Sequence, residues 1–211
     1  MASVKNKLKM SAIAALSSIC FSQAANAVDA LNLAEFEATS VCERCDLTFA
    51  SFSSTSHAGA NLNFSNLAAA SMTGFNLAGA SMEGVNLYNA TLNSANLSNA
   101  TLNISNFYSA QLVQANLSGA VLRKSDLSMA NMSQANLSGA DLSDALLEGT
   151  DLSGADLTGV NLSTADMTGV KVGGANFTNA TLSGAIVLQS WLTGATLCNT
   201  TTPWGVINVD C

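Results

Sequence analysis

Residues 135–159 read ANLSG ADLSD ALLEG TDLSG ADLTG, from Ala135 to Gly159, and the same five-residue phrase runs from Cys45 to Asn199 as 31 units without an insertion or deletion. The central position, whose number always ends in 2 or 7, is Leu 21 times, Met 4 times and Phe 3 times; His57, Val172 and Val187 are the exceptions. Two residues earlier stands Ala in 20 of the 31 units, with Ser, Thr, Val, Cys or Phe in the rest. A spacing of five matches neither the 3.6 of an amphipathic helix nor the 2 of a half-buried strand. A strict short period is the mark of a repeat architecture, in which each unit buries its apolar face against its neighbours.

A second period lies on the first. The last residue of every fourth unit is Gly59, Gly79, Asn99, Gly119, Gly139, Gly159, Asn179 and Asn199, all of them residues that tolerate positive φ. The other three phases hold residues such as Phe49, Phe64, Ile104, Lys124 and Met129 at that position. The pattern predicts a coil of four units with one backbone-demanding corner in every 20 residues. The same step aligns Asn76, Asn96, Asn116 and Asn136 in one row and Asn66, Asn86 and Asn106 in another, a layout suited to amide ladders in stacked, in-register backbone.

The A(D/N)LxG units of residues 45–199, such as Ala140 to Asp144 and Ala155 to Gly159, resemble the pentapeptide-repeat family. The resemblance implies an all-β fold, a right-handed quadrilateral parallel β-helix (a β-solenoid) of about eight four-sided coils, with the central Leu or Phe and the Ala two before it pointing inward. The Cys42-x-x-Cys45-Asp-Leu start and the Leu197-Cys-Asn-Thr-Thr-x-Pro203 finish resemble the ends of exported members. At about 4.8 Å per coil the rod should be roughly 37 Å long. Residues 28–44 read as an N-terminal cap: Val28 to Ser40 suits a short helix that lays Leu31, Ala34 and Phe36 over the first coil, and the CxxC follows. Residues 200–211, with Pro203 and Trp204, read as a tail that covers the last coil.

Residues 1–27 carry the pattern of a secretory signal: Lys5, Lys7 and Lys9, then an apolar run from Ser11 to Phe21, then Ala25-Asn26-Ala27 as a cleavage site. The run is too short to span a membrane, and Ile19 before Cys20 opposes a lipoprotein reading. Cleavage would leave 184 residues and, with three lysines and no acids removed, change the net charge from −7 to −10. The protein is thereby expected in the periplasm or outside the cell, or in the lumen if the cell is photosynthetic. An oxidising compartment favours disulfides among Cys42, Cys45, Cys198 and Cys211, and pairing within each end is preferred over a redox CxxC or a zinc site.

Function is written more faintly. A pI near 4.3 argues against direct nucleic-acid binding; the single His57 makes neither a catalytic pair nor a metal site and reads as packed beneath the N-terminal cap. No catalytic residue, cofactor or metal is implied. Asp126, Asp141, Asp144, Glu148, Asp151, Asp156 and Asp166 fall in a 41-residue stretch free of Lys and Arg. In the four-unit register the five from Asp141 to Asp156 occupy all sides of one coil as a belt, which keeps copies apart in solution. Family members that act on type II topoisomerases are acidic mimics of DNA, but mimicry needs a stripe along the axis, and export separates the protein from a cytoplasmic topoisomerase. Tyr88 and Tyr108 should stack as outward neighbours, and Ile186, Leu188 and Trp191 should point outward, either beneath the Trp204–Ile207 tail or into an end-to-end homodimer. Sequons such as Asn96-Leu-Ser98 are products of the repeat. The reading is a non-enzymatic exported scaffold that meets a protein or envelope component. Topoisomerase mimicry and a ligand- or cation-binding module, using the belt or the tyrosines, are the alternatives.

Overall fold

The repeating unit closes on itself through one turn. The Leu47 carbonyl accepts from Ala50 N–H at 3.0 Å, and Phe49, the third residue of that turn, takes φ 59°, the conformation that a type II turn requires there. Adjacent coils then clasp one another. Leu47 N–H donates to the Asn66 carbonyl at 2.7 Å, Phe49 N–H to Ala68 at 2.9 Å, and Asn66 N–H back to Cys45 at 2.8 Å. Parallel bridges 20 residues apart repeat from Val41↔Asn61 to Thr181↔Thr201. The computed structural model, which describes residues 29–53, 55–208 and 211, is thus a right-handed quadrilateral β-helix. The signal read at residues 1–27 lies outside the described residues.

Four bridge rows define four faces. Face I carries Val41 to Thr201, face II Asp46 to Ile186, face III Ser51 to Lys171 and face IV Ser56 to Thr196. The expectation of one demanding corner per coil needs correction: positive φ recurs at all four corners and is adopted by Phe49, Phe64, Ile104, Lys124 and Met129 as well as by Gly and Asn. A left-handed residue costs roughly 1–2 kcal/mol, and the corner's own N–H offsets this by bonding to the next coil. Nothing in the backbone explains why the edge from Gly59 to Asn199 is restricted to Gly and Asn.

At the edge between faces I and II the glycines have a packing reason. A Cβ on Gly84 would lie 2.6 Å from Phe64 Cδ1, so Gly84 leaves the room in which the Phe64 ring settles, with the Arg44 guanidinium 5.4 Å from its centroid. Met129 lies over Gly149 in the same way on the opposite edge of face II, with Sδ 2.6 Å from where a Cβ would stand. Gly84→Ala should lower stability by about 1–2 kcal/mol through its φ of 62° and through the displaced ring. Thermal unfolding of Gly84→Ala with and without Phe64→Ala checks this: the double variant should recover the part due to the ring.

The interior holds one apolar column per face, Leu, Met or Phe at the centres and Ala beside them, almost all fully buried. Where Ser or Thr replaces Ala its hydroxyl finds a carbonyl, in the previous coil for Ser105 (Oγ to Met82 O at 2.9 Å), Thr150 (to Leu127 at 2.8 Å) and Thr200 (to Phe177 at 2.7 Å), and in its own coil for Ser125 (to Leu122 at 2.6 Å). A buried hydroxyl with a partner costs little, whereas an unpartnered one costs ~1–3 kcal/mol.

The two ends are finished differently. Helix α1, Ala30–Thr39, begins at Asp29, whose carboxylate accepts from the N–H groups of Leu31 and Asn32. It covers the first coil with Phe36 and Leu33, not with Leu31, which is 62% exposed. Phe36 and Leu33 are three apart and share a helix face, while Leu31 is not on it. Bridging already starts at Val41. At the far end the chain leaves the ladder: Gln189–Leu192 form a 3-10 turn, and Gly174 N–H bonds Gly194, twenty residues on, where the regular partner is nineteen. The ladder resumes at Thr196, and strands β1 (Thr200–Thr202) and β2 (Gly205–Ile207) form an antiparallel hairpin that packs Ile207 on the core but leaves Pro203 and Trp204 exposed at its turn, so these two do not cover the last coil as expected. Disulfides join Cys42 to Cys45 and Cys198 to Cys211.

Candidate interaction faces

The outward position of each unit is an Asx turn. Asn66 Oδ1 accepts from Ala68 N–H at 3.2 Å, Asn116 Oδ1 from Ser118 at 3.1 Å and Asp151 Oδ1 from Ser153 at 3.0 Å. A side-chain acceptor two residues before a backbone donor is what Asn and Asp supply best, which is why the two alternate there. The following Ser or Thr adds its hydroxyl, as Thr158 does on Asp156 Oδ1 at 2.6 Å. The spare Asn amide ties coils together: Asn86 Nδ2 donates to Asn66 Oδ1 at 2.9 Å, and Asn96 and Asn116 continue the other row at 3.3 Å. Polar atoms on these faces are therefore largely engaged in holding the fold.

The acids follow the same logic. Asp141 lies on face I, Asp144 on the edge between I and II, Glu148 on face II, Asp151 on III and Asp156 on IV, so the belt exists as a ring around one coil. Asp141 accepts from Ser143 N–H and Asn161 Nδ2, with Arg123 Nε 3.8 Å from its other oxygen; Asp144 accepts from Thr164 Oγ1 at 2.5 Å. At Asp151 burial raises the carboxyl pKa, but the Ser153 hydrogen bonds and the nearby Lys171 outweigh it, so the net shift is downward. The ring is lopsided, because Asp126 and Asp166 also belong to face II. Among the described residues no three His, Cys, Asp or Glu converge closely enough to hold a metal ion.

Tyr88 and Tyr108 stand one above the other on face II, with centroids 6.0 Å apart and rings within 10° of parallel; both are exposed. Trp191 departs from its expected outward position. It sits in the 3-10 turn, half-buried against the core, while Ile186 and Leu188 stay exposed on face II and are not covered by the tail.

Sequence reasoning missed one feature. Of the large apolar residues left exposed, Phe49, Phe64, Tyr88, Ile104, Tyr108, Met129, Leu146, Ile186 and Leu188 all belong to face II or its two edges. Among the described residues, faces III and IV carry none of this group, and face I only Val41. Writing the chain in rows of 20 and marking apolar residues outside the two inward positions would have revealed the column.

His57 packs between Phe36, 4.3 Å away, and Phe75, 5.4 Å away and nearly parallel. Its Nδ1 pairs with Ser40 Oγ at 2.9 Å, and its buried Nε2 has no partner. Burial pushes the imidazole below its ordinary 6.5, with the Glu37 carboxylate opposing in part. Below pH 6.5 the unfolded chain takes up a proton that the folded chain resists, so stability is full above 6.5, falls as the pH drops through it, and levels off below the folded value. Thermal unfolding between pH 7.5 and 5 should show a falling midpoint, and His57→Leu, the residue standard at that position, should flatten the curve over that range.

A profile of the pentapeptide repeats matches eight copies, over residues 65–103, 105–139, 135–172 and 165–199. The chain belongs to the pentapeptide-repeat family. Among solved structures it is similar to full-length QnrB1, a plasmid-mediated fluoroquinolone resistance protein, at 16% identity with 80% of this chain and 88% of that one covered and a TM-score of 0.58. It is also similar to HetL of Nostoc sp. strain PCC 7120, a pentapeptide repeat protein involved in heterocyst differentiation regulation, at 25% identity, 83% and 97% coverage and a TM-score of 0.30. A pentapeptide repeat protein of the Arabidopsis thaliana thylakoid lumen is 35% identical over 43% of this chain and 59% of that one, with a TM-score of 0.25. No curated protein matched. No helix among the described residues is long and apolar enough to cross a membrane.

Proposed function

We propose that this pentapeptide-repeat protein is an exported, non-enzymatic scaffold whose sides bind a protein or cell-envelope component. The observation that carries the reading is the use to which its polar groups are put. On every face the outward Asn and Asp are hydrogen-bonded to their own turn or to the next coil, so the chemistry of the surface is spent on making flat, rigid walls. The lone imidazole is buried beneath α1, out of reach of a substrate. Export rests on residues 1–27 and is consistent with two disulfides, which persist in oxidising compartments; it implies the periplasm, the cell exterior or, in a photosynthetic cell, a lumen.

The test is chemical cross-linking of the full chain in its source cell, followed by fractionation. The protein should be recovered outside the cytoplasm, shortened at its N-terminus by about 27 residues, and joined to one reproducible partner. Recovery in the cytoplasm at full length would overturn export. Turnover of a small substrate that disappears on substitution of a surface residue would overturn the scaffold reading.

A further inference from the structure

Face II is the side on which this scaffold docks its partner, and we infer that the partner presents an apolar segment continued by lysines or arginines. The inference rests on the scaffold reading above and adds to it a place and a chemistry. Three observations combine.

The first is the gathering of the exposed large apolar side chains of residues 45–199 on one wall and its edges. Single exposed hydrophobes scattered over a surface are ordinary, whereas a contiguous set marks a contact site. Tyr88 and Tyr108 form the centre of the wall, Phe64 and Ile104 line one edge, and Met129 lines the other. Two of these side chains lie over glycines, since Gly84 and Gly149 vacate the volume into which Phe64 and Met129 fold. Phe64 and Met129 are thereby seated before a partner arrives, which lowers the cost of ordering them on binding.

The second is the distribution of charge along the same wall. From Phe64 to Ser109, three coils of face II and its edges carry no charged residue at all. In the next three coils stand Lys124, Asp126, Asp144, Glu148 and Asp166, four acids and one cation, around the exposed Leu146. Along the wall, then, the first coil carries Arg44 and Asp46, three uncharged coils and three acidic coils follow side by side, and the last coil is again uncharged with Ile186 and Leu188 exposed. The surface that complements the six middle coils is an apolar block adjoining a basic one. A second copy of this chain is a poorer match, because in parallel it would set acids against acids, and like charges across an interface cost affinity, while reversed it would set its acidic coils against uncharged ones. Other faces lack the combination: Asp151 on face III faces Lys171, and Asp156 on face IV stands in a row of Asn.

The third is size. Just under eight coils at about 4.8 Å give a wall roughly 37 Å long, and at roughly 15 Å across its two edges it can bury on the order of 1,000 Å² in total with a partner. That is the lower end of specific interfaces, where transient contacts lie.

The probe is a fluorescein-labelled synthetic peptide with an apolar Leu/Val/Tyr block followed by a block of four lysines, titrated with the purified chain and read by anisotropy. Binding at micromolar concentration is expected, weakening as salt rises. Tyr88→Ser with Leu146→Ser should weaken it at least tenfold, and Asp144→Asn with Glu148→Gln should weaken it and reduce the salt dependence. Asp151→Asn with Asp156→Asn, an equal charge change on faces III and IV, should alter it less than twofold. These positions are solvent-facing or tolerate Asn elsewhere in the repeat, so unchanged melting midpoints will show that the variants fold. Equal weakening by the face III and IV pair, or equal binding of a peptide with Glu in place of Lys, would overturn the proposal. So would a dimer in analytical ultracentrifugation that Tyr88→Lys disperses, which would give the wall to a second copy. If cross-linking in the cell still captures the partner after Tyr88→Ser with Leu146→Ser, the face is wrong and the scaffold reading survives; if no variant on any face matters and no partner is found, the scaffold reading itself fails.

Discussion

Deletion of Ser118 alone is expected to destroy the cooperative fold, whereas deletion of the twenty residues 96–115 should leave a rod shorter by one coil that still melts cooperatively. The reason is that the interior is addressed by position within the unit. Losing one residue moves Arg123 into the centre that Leu122 occupies and turns every later Leu outward, or else forces one side to close with four residues and forfeit its turn bond from Leu117 O to Ala120 N–H. Either outcome costs at least the transfer and cavity terms of one large side chain, ~2–5 kcal/mol, and the first costs that many times over. Removing a full coil instead joins Ala95 to Asn116, which differs from the natural Ala95–Asn96 junction by one turn of the same helix. Deleting five residues separates the two periods. The backbone ladder survives, since every corner has the same φ, but every later face rotates by one wall, so that the Asn ladders break and the apolar column of face II is split. Circular dichroism and the melting midpoint distinguish folded from unfolded deletions, and the peptide titration reports the rotated face.

Leu117→Asp is the single substitution with the largest expected effect. Leu117 is fully buried at mid-rod, its neighbours above and below in the column being Leu97 and Leu137. A carboxylate there has water on no side and apolar groups above and below. It must either ionise without a partner or stay protonated without one, at a cost of several kcal/mol on top of the lost leucine. In a linear repeat the stability is a sum of units and their interfaces, so a weak coil divides the rod into two halves that unfold separately. Hydrogen exchange should show this as protection lost first at residues 97–137 and retained towards both ends. Uniform loss of protection along the whole rod would show that the coils are not coupled to nearest neighbours only. Leu117→Ala should give the same pattern at ~2–5 kcal/mol.

The periods of five and twenty carry the fold because the constraint they reflect is local. A Leu at every fifth residue, Ala two before it and Asn or Asp between them leave one way to bury the apolar set and close the Asx turns at once. The helix at the N-terminus and the pairing of cysteines within each end were legible for similar reasons, the one from the apolar residues of Val28 to Ser40 ahead of the first unit, the other from proximity along the chain. The corner rule was misjudged, since Gly and Asn on one edge suggested that only that edge needed positive φ. In the folded molecule the hydrogen bonds to the next coil overcome the preference, and Lys124 and Ile104 adopt it too. Leu31 and Trp191 were also misplaced, because the rotation of a helix against a coil end and the 3-10 departure at Gln189–Leu192 depend on what lies across the contact.

The candidate site was the least legible part. Tyr88 and Tyr108 can be seen as neighbours from a difference of 20, but their meaning depends on what shares their wall. Phe64 and Met129 lie on opposite edges of that wall, 65 residues apart in the chain, and stand out only when each residue is assigned to a face. What the sequence alone determined, then, was the coil, the identity of the inward residues and the chemistry of the outward turns, because these follow from spacing and from bonds between near neighbours. Only the tertiary structure decided which exposed residues form one surface and where the ladder ends, because those depend on stacking coils whose members are twenty, forty or sixty residues apart.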